Sequence, residues 1–362
     1  MSKLRVGVLF GGRSGEHEVS LRSARSVVAA FDRARYEVTL LAIDKQGRWL
    51  TGQDAAGLLA PPSEASTAAS DTLALHAGAL RSLIPQAESL RSLDVIFPVL
   101  HGPLGEDGTV QGLLELADIP YVGCGVAASA VGMDKAICKA VFAAHGLPQA
   151  PWLALKRQHW QDAPAATLDA IEAQLPYPLF VKPANLGSSV GISKAADRAS
   201  LRQALDQAAR YDRKLVVEQG IDAREIEVSV LGNDQPAASL PGEVIPSREF
   251  YDYAAKYIDD DSRLLIPAPL TAEQTAEVQR LAVAAFLAID GAGLARVDFL
   301  LDRQSGQLYL NEVNTLPGFT SISMYPKLWA ASGLPFESLV DRLVELALER
   351  HQDKSRNETS FS

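Results

Sequence analysis

The stretch that decides the fold runs from Leu294 to Thr320, LARVDFLLDRQSGQLYLNEVNTLPGFT. It predicts two strands joined by a tight turn, because apolar and polar residues alternate on both sides of Gln304-Ser305-Gly306. Side chains in a strand alternate between two faces, so Asp298 and Glu312 share a face only if an odd number of residues closes the turn. We therefore predict a three-residue loop with Gly306 at the position that needs a positive φ.

This register decides what each face of the predicted hairpin carries. Asp298 would lie opposite Glu312, and Arg296 opposite Asn314. Mg²⁺ takes hard oxygen ligands, so Asp298, Glu312 and Asn314 predict a metal site, whereas a solvated sheet edge with an ion pair is the alternative. The turn 314–318 would add backbone N–H groups suited to an anionic reaction centre. The opposite face is predicted to be core and carries Ala295, Val297, Phe299, Leu301, Tyr309 and Val313.

Length and composition exclude several classes of protein. A chain of 362 residues suggests two or three domains, and its 47% hydrophobic and 22% charged content are typical of a soluble globular protein. The net charge of −10 argues against a nucleic-acid partner. The chain has six histidines without a His/Cys cluster, which argues against zinc, and its two cysteines favour a reducing cytoplasm. The sequence shows neither a membrane-spanning apolar run nor a cleavable signal pattern.

The first hundred residues predict a parallel sheet. An apolar strand (4–10), a Gly-rich turn (11–16), a helix (19–31) and a second strand (36–43) form a βαβ unit. A further strand, 93–100, ends in a second Gly-rich loop, and ligands bind at such strand ends in open α/β sheets. Residues 52–72 are predicted to be a surface connection with little core of its own, and residues 352–362 a disordered polar tail.

The first Gly-rich turn also admits a dinucleotide site as a rival interpretation. The match is weak, because the glycines run G-G-x-x-G and the acidic Asp44 lies 29 residues beyond Gly15. For His17 at the helix start, a structural role is the simpler interpretation.

The middle of the chain predicts a phosphate site. Lys182 interrupts the apolar strand 178–183, and a buried lysine is costly unless it meets an anion. The Gly/Ser loop that follows could cover phosphates, although it is not a P-loop, and an ordinary flexible turn is the alternative. Lys135 in GMDK supplies a second cation. Glu218 ends another apolar strand, where a ribose hydroxyl or an adenine amino group would be its partner, and a solvated strand-end charge is the alternative. Residues 246–267 form a long Tyr-rich segment without a clean period, which is typical of a lid.

Together these motifs resemble the signatures of the D-alanine–D-alanine ligases of the ATP-grasp superfamily. The resemblance rests on GGRSGEHEVS (11–20), LHGPLGEDG (100–108), GMDK (132–135), VKPANLGSSVG (181–191), EFYDYAAKY (249–257), ARVDF (295–299) and NEVNTLPGFTSISMYP (311–326). It implies an α/β fold, α+β in its ATP-binding half, with an ATP-grasp unit preceded by a Rossmann-like parallel-sheet domain. The implied domains are an N-terminal substrate-binding domain (1–125), a central ATP-grasp subdomain (126–215) and a C-terminal subdomain (216–362) with the lid 246–267.

The resemblance also implies an activity. ATP would phosphorylate the carboxylate of one D-alanine, and the amine of a second would attack the acylphosphate to give D-alanyl-D-alanine for peptidoglycan precursors. The implied cofactors are two Mg²⁺ or Mn²⁺ ions beside the substrate ATP. The implied protein is a cytoplasmic homodimer without membrane or nucleic-acid partners.

Roles of individual residues follow from the same resemblance. Glu16, Ser188 and Tyr257 would form a hydrogen-bonded triad that closes the lid, with Glu16 anchoring the first D-alanine's ammonium. Arg296 and the Gly318 N–H would stabilise the oxyanion of the tetrahedral intermediate. The other implied D-alanine contacts are His101, Ser323 and Met324. The implied ATP contacts are Lys135, Lys182, Ser188, Glu218, Ile221, Glu225, Phe250, Lys256, Asn311 and Glu312. The implied metal ligands are Asp298, Glu312 and Asn314.

Two further expectations concern specificity and rival functions. The resemblance extends to depsipeptide-forming ligases that use D-lactate, but these differ in the lid motif, so YDYAAKY at 251–257 favours an amine as the second nucleophile. A nicotinamide-dependent oxidoreductase would leave Asp298, Glu312 and Lys182 unexplained. An inactive nucleotide-binding module is disfavoured because each expected catalytic position is filled.

Overall fold

The computed structural model describes residues 2–60, 92–188, 190–245, 263–320 and 322–358. Of the predicted site residues, Phe250, Lys256 and Tyr257 lie outside these ranges, as does most of the predicted lid. None of the helices in these ranges is long and apolar enough to cross a membrane.

The first sheet is built on parallel strands, as predicted. β1 (Leu4–Gly11) lies between β2 (Tyr36–Ile43) and β4 (Val95–Leu100), and the short β3 (Trp49–Thr51) runs antiparallel at the β2 edge. All six residues of β4 are buried, which explains the unbroken apolar sequence VIFPVL. The helices of this region are α1 (His17–Ala30), α2 (Gly52–Leu59) and α3 (Thr109–Leu116).

The segment 52–72 was predicted to be a connection with little core, and this is wrong for its first part. Residues 52–59 form α2, where Ala55 is fully buried and Leu58 and Leu59 pack against the first core. The predicted tail also differs, because the last helix extends to Lys354.

The second sheet is antiparallel with the order β5-β8-β6-β7. Its strands are β5 (Trp152–Lys156), β6 (Leu179–Pro183), β7 (Ser193–Ala195) and β8 (Lys214–Gln219). The helices α6 (Arg157–Asp162), α7 (Pro164–Glu172) and α8 (Arg198–Tyr211) contribute Trp160, Leu168 and Leu205 to the core beneath it. This sheet presents Lys182 and Glu218 on neighbouring strands.

The third sheet is also antiparallel, with β12-β11-β9-β13-β14 in order and β10 paired to β9. Its long central strands are β9 (Ala223–Gly232) and β13 (Gly293–Asp302), and β14 (Leu308–Asn314) is the outer strand on their side. The shorter strands are β10 (Ala237–Ala238), β11 (Gly242–Ile245) and β12 (Arg263–Leu265). The helix α9 (Ala272–Ala288) packs on its apolar face through Val278, Leu281, Ala285 and Phe286.

The GMDK motif lies at a break between two helices. α4 (Val126–Met133) ends before Asp134, whose carboxylate accepts hydrogen bonds from the N–H groups of Ala136 and Ile137 and so caps α5 (Lys135–Ala144). Residues of both helices, Ala128 and Phe142 among them, join the core of the third sheet. The domain boundaries at 125 and 215 remain a prediction.

The chain ends against the first sheet. α10 (Met324–Ala331), which the sequence analysis did not predict, and α11 (Phe336–Lys354) place Tyr325, Trp329 and Leu343 in the same core as Phe97 of β4. Residues 315–320, which follow β14, therefore lie between the first and third sheets. The Phe319 N–H donates to Ser23 Oγ at 3.2 Å across this junction.

The predicted pairing in the β13–β14 hairpin is confirmed, but the predicted turn is wrong. Asp298 is the partner of Glu312 and Arg296 that of Asn314. The register then shifts, so that Phe299 pairs with Leu310, and four residues (303–306) separate Asp302 from Gln307. A β-bulge at Asn311 supplies the odd residue that we assigned to the turn. Gly306 has the expected positive φ, +71°.

The bulge also corrects the predicted core face. Leu310 and Leu308 are buried there beside Phe299 and Leu301, whereas Tyr309 pairs with Leu300 on the other face and is half-buried. The two residues between the buried Leu310 and Val313 both point away from the core. Asn311 and Glu312 consequently lie on the same side of the sheet.

Candidate active site

A cavity of about 400 Å³ lies between the first and third sheets, with residues of the loop after β6 on its wall. The loops after β1 and β4 contribute Glu16, His101 and Glu106 to it. The third sheet and the segment that follows β14 supply Glu227, Arg296, Glu312, Asn314, Gly318, Ser323 and Met324. The cavity thus brings together residues that are far apart in the sequence.

Glu16 and Ser188 join two loops across this cavity. Glu16 is buried at the start of α1, yet its carboxylate makes no capping bond to that helix. It accepts instead a hydrogen bond from Ser188 Oγ. Ser188 adopts a φ of +50°, an uncommon conformation for a residue with a Cβ. This contact is one side of the predicted Glu16–Ser188–Tyr257 triad.

His17, next to Glu16, has the structural role that the sequence favoured. Its Nδ1 lies 2.9 Å from the carbonyl oxygen of Gly12, and the ring is buried. The dinucleotide site was the rival interpretation of the first Gly-rich turn, and it required Asp44 as the acidic residue that binds a ribose. Asp44 has a structural role instead. The Asp44 carboxylate accepts hydrogen bonds from the N–H groups of Gln46 and Arg48, both at 2.9 Å, and so closes the turn between β2 and β3.

His101 is held at the inner wall of the cavity. Its Nδ1 lies 3.2 Å from the carbonyl oxygen of Leu316, and its Nε2 lies 3.3 Å from Ser23 Oγ. Burial lowers the pKa of His101, against the opposing effect of the Glu16 carboxylate. The imidazole is therefore neutral at pH 7, and an N–H of the ring donates to the Leu316 carbonyl.

Glu106 is a second carboxyl group beside Glu16 in the cavity. It was not among the predicted site residues. Its Oε1 accepts a hydrogen bond from the Gly102 N–H at 2.9 Å. Burial and repulsion from Glu16 raise the pKa of Glu106 to about 8. A methyl group on Gly187 would lie within 4 Å of both carboxylates, so this loop residue stands beside the pair. Glu106 lay within the quoted motif LHGPLGEDG, but sequence alone gave no sign of its altered acidity.

Lys135 and Glu312 face each other in the cavity. Lys135 Nζ donates to the carbonyl oxygen of Leu186 at 2.7 Å and lies 3.7 Å from Glu312 Oε2. The lysine therefore ties the loop after β6 to the hairpin, and both charged groups line the cavity.

Lys182 and Glu218, which the sequence assigned to different parts of a nucleotide, are paired with each other. Lys182 Nζ lies 2.9 Å from Glu218 Oε2 and 3.4 Å from Asn311 Oδ1. The other oxygen of Glu218 lies 3.4 Å from Nζ of the buried Lys139. Burial would raise the pKa of Glu218, but the two lysines outweigh it and lower that pKa to about 2. The alternative of a solvated strand-end charge is thus wrong for Glu218.

The polar face of the third sheet carries three carboxylates in a row, one on each of β14, β13 and β9. Asp298 is the register partner of Glu312 on one side and of Glu227 on the other. Like charges on adjacent strands repel, and Arg296 offsets them. Its Nε and Nη2 each donate to Asp298 at 2.7 Å, and Nε lies 3.0 Å from Glu227 Oε2. Glu227 was missed by the sequence analysis, although it alternates with Glu225 in a strand pattern.

The donor set of this face fits the predicted Mg²⁺ site in its chemistry. Asp298 and Glu312 supply carboxylate oxygens on one face, and Asn314 Nδ2 donates to Asp298 at 2.9 Å, which leaves its amide oxygen free of that bond. Within the ranges that the structure describes, no three His, Cys, Asp or Glu side chains form a metal-binding group. An ion here would therefore draw further ligands from Asn314, water or phosphate oxygens.

The segment after β14 closes the far end of the cavity. The Ser323 Oγ accepts a hydrogen bond from the Thr320 N–H at 3.0 Å and shares another with Thr320 Oγ1 at 2.7 Å. Gly318 lies against this hydroxyl, because a Cβ built on it would be 3.0 Å from Ser323 Oγ. Met324 begins α10 beside them and lines the cavity.

Among the described residues, the predicted nucleotide contacts Ile221 and Glu225 lie outside this cavity. Ile221 follows β8 and is half-buried, and Glu225 pairs with Leu300 and Val244 in the third sheet. With Lys182, Glu218 and Asn311 they lie between the second and third sheets.

Comparison with known proteins covers nearly the whole chain. Residues 5–124 match the model described as D-ala D-ala ligase N-terminus, and residues 141–345 match that of the D-ala D-ala ligase C-terminus. The chain belongs to the D-alanine–D-alanine ligase family. The predicted family is therefore confirmed.

Individual members of the D-alanine–D-alanine ligase family agree with this assignment. The D-alanine–D-alanine ligase of Heliobacterium modesticaldum is 56% identical over 362 residues, covering 99% of this chain and 98% of that protein. The ligase of Natranaerobius thermophilus is 48% identical and covers 100% of both chains.

Two solved structures share the fold. The D-alanine–D-alanine ligase from Coxiella burnetii superposes with a TM-score of 0.81 at 37% identity, covering 98% of this chain and 97% of that one. The VanG D-Ala:D-Ser ligase from Enterococcus faecalis gives a TM-score of 0.81 at 33% identity, covering 96% of this chain and 100% of that one. The predicted mixed α/β fold of the ATP-grasp ligases is thereby confirmed.

Proposed function

We propose that this protein is a D-alanine–D-alanine ligase that consumes ATP to make the dipeptide for peptidoglycan synthesis. The proposal is supported by the family match, which spans residues 5–124 and 141–345, together with the residues that line one cavity. That cavity joins a candidate ammonium anchor, Glu16, to a candidate phosphate cation, Lys135, and to the Arg296 guanidinium.

The first D-alanine would bind beside Glu16. A buried carboxylate is a strong partner for an ammonium group, and Ser188 orients it with a hydrogen bond. The neutral His101 near the substrate carboxylate would leave that group nucleophilic. A carboxylate oxygen then attacks the γ-phosphorus, the new O–P bond forms, and the bond from phosphorus to the departing ADP oxygen breaks. The products of this step are an acylphosphate and ADP.

Lys135 and Lys182 would hold the phosphates of ATP. Glu218, Ile221, Glu225 and Asn311 would contact the rest of the nucleotide, together with Phe250 and Lys256 of the predicted lid. Asp298, Glu312 and Asn314 would hold Mg²⁺, which when bound neutralises charge between the phosphates.

The second D-alanine would enter at the end of the cavity formed by Ser323 and Met324. Its ammonium releases a proton to solvent, and the free amine attacks the acyl carbon to form the C–N bond. The C–O bond to phosphate breaks as the tetrahedral intermediate collapses. Arg296 and the Gly318 N–H are suited to stabilise the oxyanion of that intermediate. One such donor contributes on the order of 10²–10³ in rate.

The test is incubation of the purified protein with ATP, Mg²⁺ and D-alanine, with phosphate release and dipeptide formation followed together. We expect one phosphate per D-alanyl-D-alanine, no product with L-alanine and loss of turnover with a chelator. If another D-amino acid alone supports phosphate release, the substrate assignment is overturned. Fluorescence titration with NADH should show no binding, which separates the ligase from the oxidoreductase alternative.

The same preparation tests two finer predictions. Competition between D-alanine, D-serine and D-lactate as second substrate should yield mainly D-alanyl-D-alanine at neutral pH. Light scattering should give the mass of a dimer, as the resemblance implies. A cytoplasmic location stays a prediction.

A further inference from the structure

A buried group of three charges lies between the second and third sheets, at the edge of the candidate nucleotide site. Lys139 and Lys182 each contact one oxygen of Glu218, at 3.4 Å and 2.9 Å. Lys139 is 2% exposed and Glu218 is 4% exposed, so neither is compensated by bulk water. Among the described residues, the charged groups that face this cluster from neighbouring elements are Glu225 and Glu312, which both act on Lys182.

Lys139 reaches the cluster because of its place in α5. It follows Lys135 by four residues, so both lysines lie on one face of the helix. Lys135 extends into the cavity, whereas Lys139 ends beneath Glu218 at the end of β8. One short helix thus delivers a cation to the candidate phosphate site and another to the carboxylate behind it.

We infer that Lys139 is a positioning residue for nucleotide binding, which holds the Glu218 carboxylate so that Lys182 is free to move to the phosphates. This inference rests on the proposed use of ATP. Without nucleotide Glu218 shares its two oxygens between two lysines. When phosphate oxygens attract Lys182, Lys139 remains as the partner of Glu218.

The physical reason is the cost of an uncompensated buried charge. Removing one member of a buried ion pair is strongly destabilising, because the other charge is left without water or partner. If Lys139 were absent, transfer of Lys182 to ATP would leave the buried Glu218 carboxylate without a cation. The free energy lost in this way would weaken the binding of ATP. D-alanine does not enter this exchange, since its candidate anchors Glu16 and His101 lie on the first sheet's loops.

The test is the substitution Lys139→Met, which removes the charge and retains most of the aliphatic chain. We expect KM for ATP to rise by about tenfold or more. KM for D-alanine and kcat at saturating ATP should stay within about twofold of the wild-type values. A KM for ATP that stays within twofold, or an equal rise in both KM values, would overturn the inference.

A matched control is the ion pair between the first residue of β8 and the residue that caps α5. Lys214 of β8 pairs with Asp134 at the start of α5 and does not touch Glu218. Lys214→Met should lower the melting temperature and leave KM for ATP nearly unchanged. If Lys214→Met raises KM for ATP as much as Lys139→Met does, any lost contact between α5 and β8 explains the effect, and the inference fails.

A double-variant comparison keeps the inference testable if Lys139→Met does not fold. Lys139→Met combined with Glu218→Gln leaves no unpaired buried carboxylate. We expect its KM for ATP to match that of Glu218→Gln alone, because Lys139 then has no carboxylate to hold. A further rise in the double variant would show that Lys139 acts by another route. Wild-type enzyme that makes no dipeptide from ATP and D-alanine would refute the proposed function instead.

Discussion

Asp298 and Glu312 are direct partners across the β13–β14 hairpin, although four residues rather than three close its turn. The bulge at Asn311 makes this possible, since it places two consecutive side chains on the polar face. Asn311 reaches Lys182 and Glu312 reaches Lys135, so the bulge links the hairpin to both candidate phosphate cations.

Glu312→Gln should abolish most turnover and leave the fold intact. The amide keeps the size of the side chain but loses the negative charge that Mg²⁺ and Lys135 would contact. We expect kcat to fall on the order of 10²-fold or more, with a melting temperature within a few degrees of wild type. Initial rates over a range of Mg²⁺ concentrations and a thermal scan measure both quantities.

The control for this variant is Glu37→Gln, because Glu37 is an exposed residue of β2. It changes the same functional group far from the cavity, and it should alter neither rate nor melting temperature. A Glu312→Gln protein that melts far below the control would indicate a structural role.

Glu106 should make stability depend on pH. Its folded pKa of about 8 lies above the ordinary value of 4.5, so the unfolded chain is ionised between these values while the folded protein keeps the proton. Stability from this group therefore falls as pH rises through that window. Glu106→Gln removes the penalty, and its melting temperature relative to wild type should increase from pH 5 to pH 8 without ligands. A difference that is constant with pH would contradict the assignment.

Gly318→Ala should impair the second D-alanine site. The added methyl group would lie 3.0 Å from Ser323 Oγ, which is already held by Thr320, so the hydroxyl must shift. We expect an apparent KM for D-alanine raised by about tenfold, with KM for ATP nearly constant. Gly57→Ala is the matched control, because no atom of the described residues lies within 4 Å of its new Cβ. Equal kinetics for both alanine variants would remove Gly318 from the site.

Tyr257→Phe should change acceptor choice. The residue lies outside the described ranges, and its predicted partner Ser188 already bonds to Glu16. Loss of the phenol should weaken lid closure and raise the share of D-alanyl-D-lactate when both acceptors are present. Product ratios from mass spectrometry measure this. Ser188→Ala serves as the comparison and should shift the ratio in the same direction. Ratios like those of wild type in both variants would exclude the triad.

Sequence reasoning predicted the parts of the site that depend on local pattern. The parallel first sheet followed from apolar strands and Gly-rich turns, and the partner of Asp298 followed from strand alternation. The pairing of Lys182 with an anion followed from the cost of burying a lysine, although the anion proved to be Glu218.

The features that could not be predicted from the sequence depend on tertiary contacts. One extra residue in a strand and one residue fewer in the turn both place Asp298 and Glu312 on the same face. The alternation of apolar and polar residues therefore cannot distinguish a bulge at Asn311 from a three-residue turn. The roles of Lys139 and Glu106 depend on burial beside groups that are distant along the chain. The helix Met324–Ala331 is short, and its packing against the first sheet decides its conformation.

The bulge separates the tip of the hairpin from the cavity. The change of register lies between residues 303–306 and Glu312. We therefore expect a change at the tip to leave the pairing of Asp298 with Glu312 in place. In the part of the chain that the structure describes, nothing lies within 4 Å of a Cβ built on Gly306, so the tip has room for added chain. We therefore expect that a short peptide tag or a fluorescent label inserted after Ser305 would report on the third sheet without changing the residues that line the cavity.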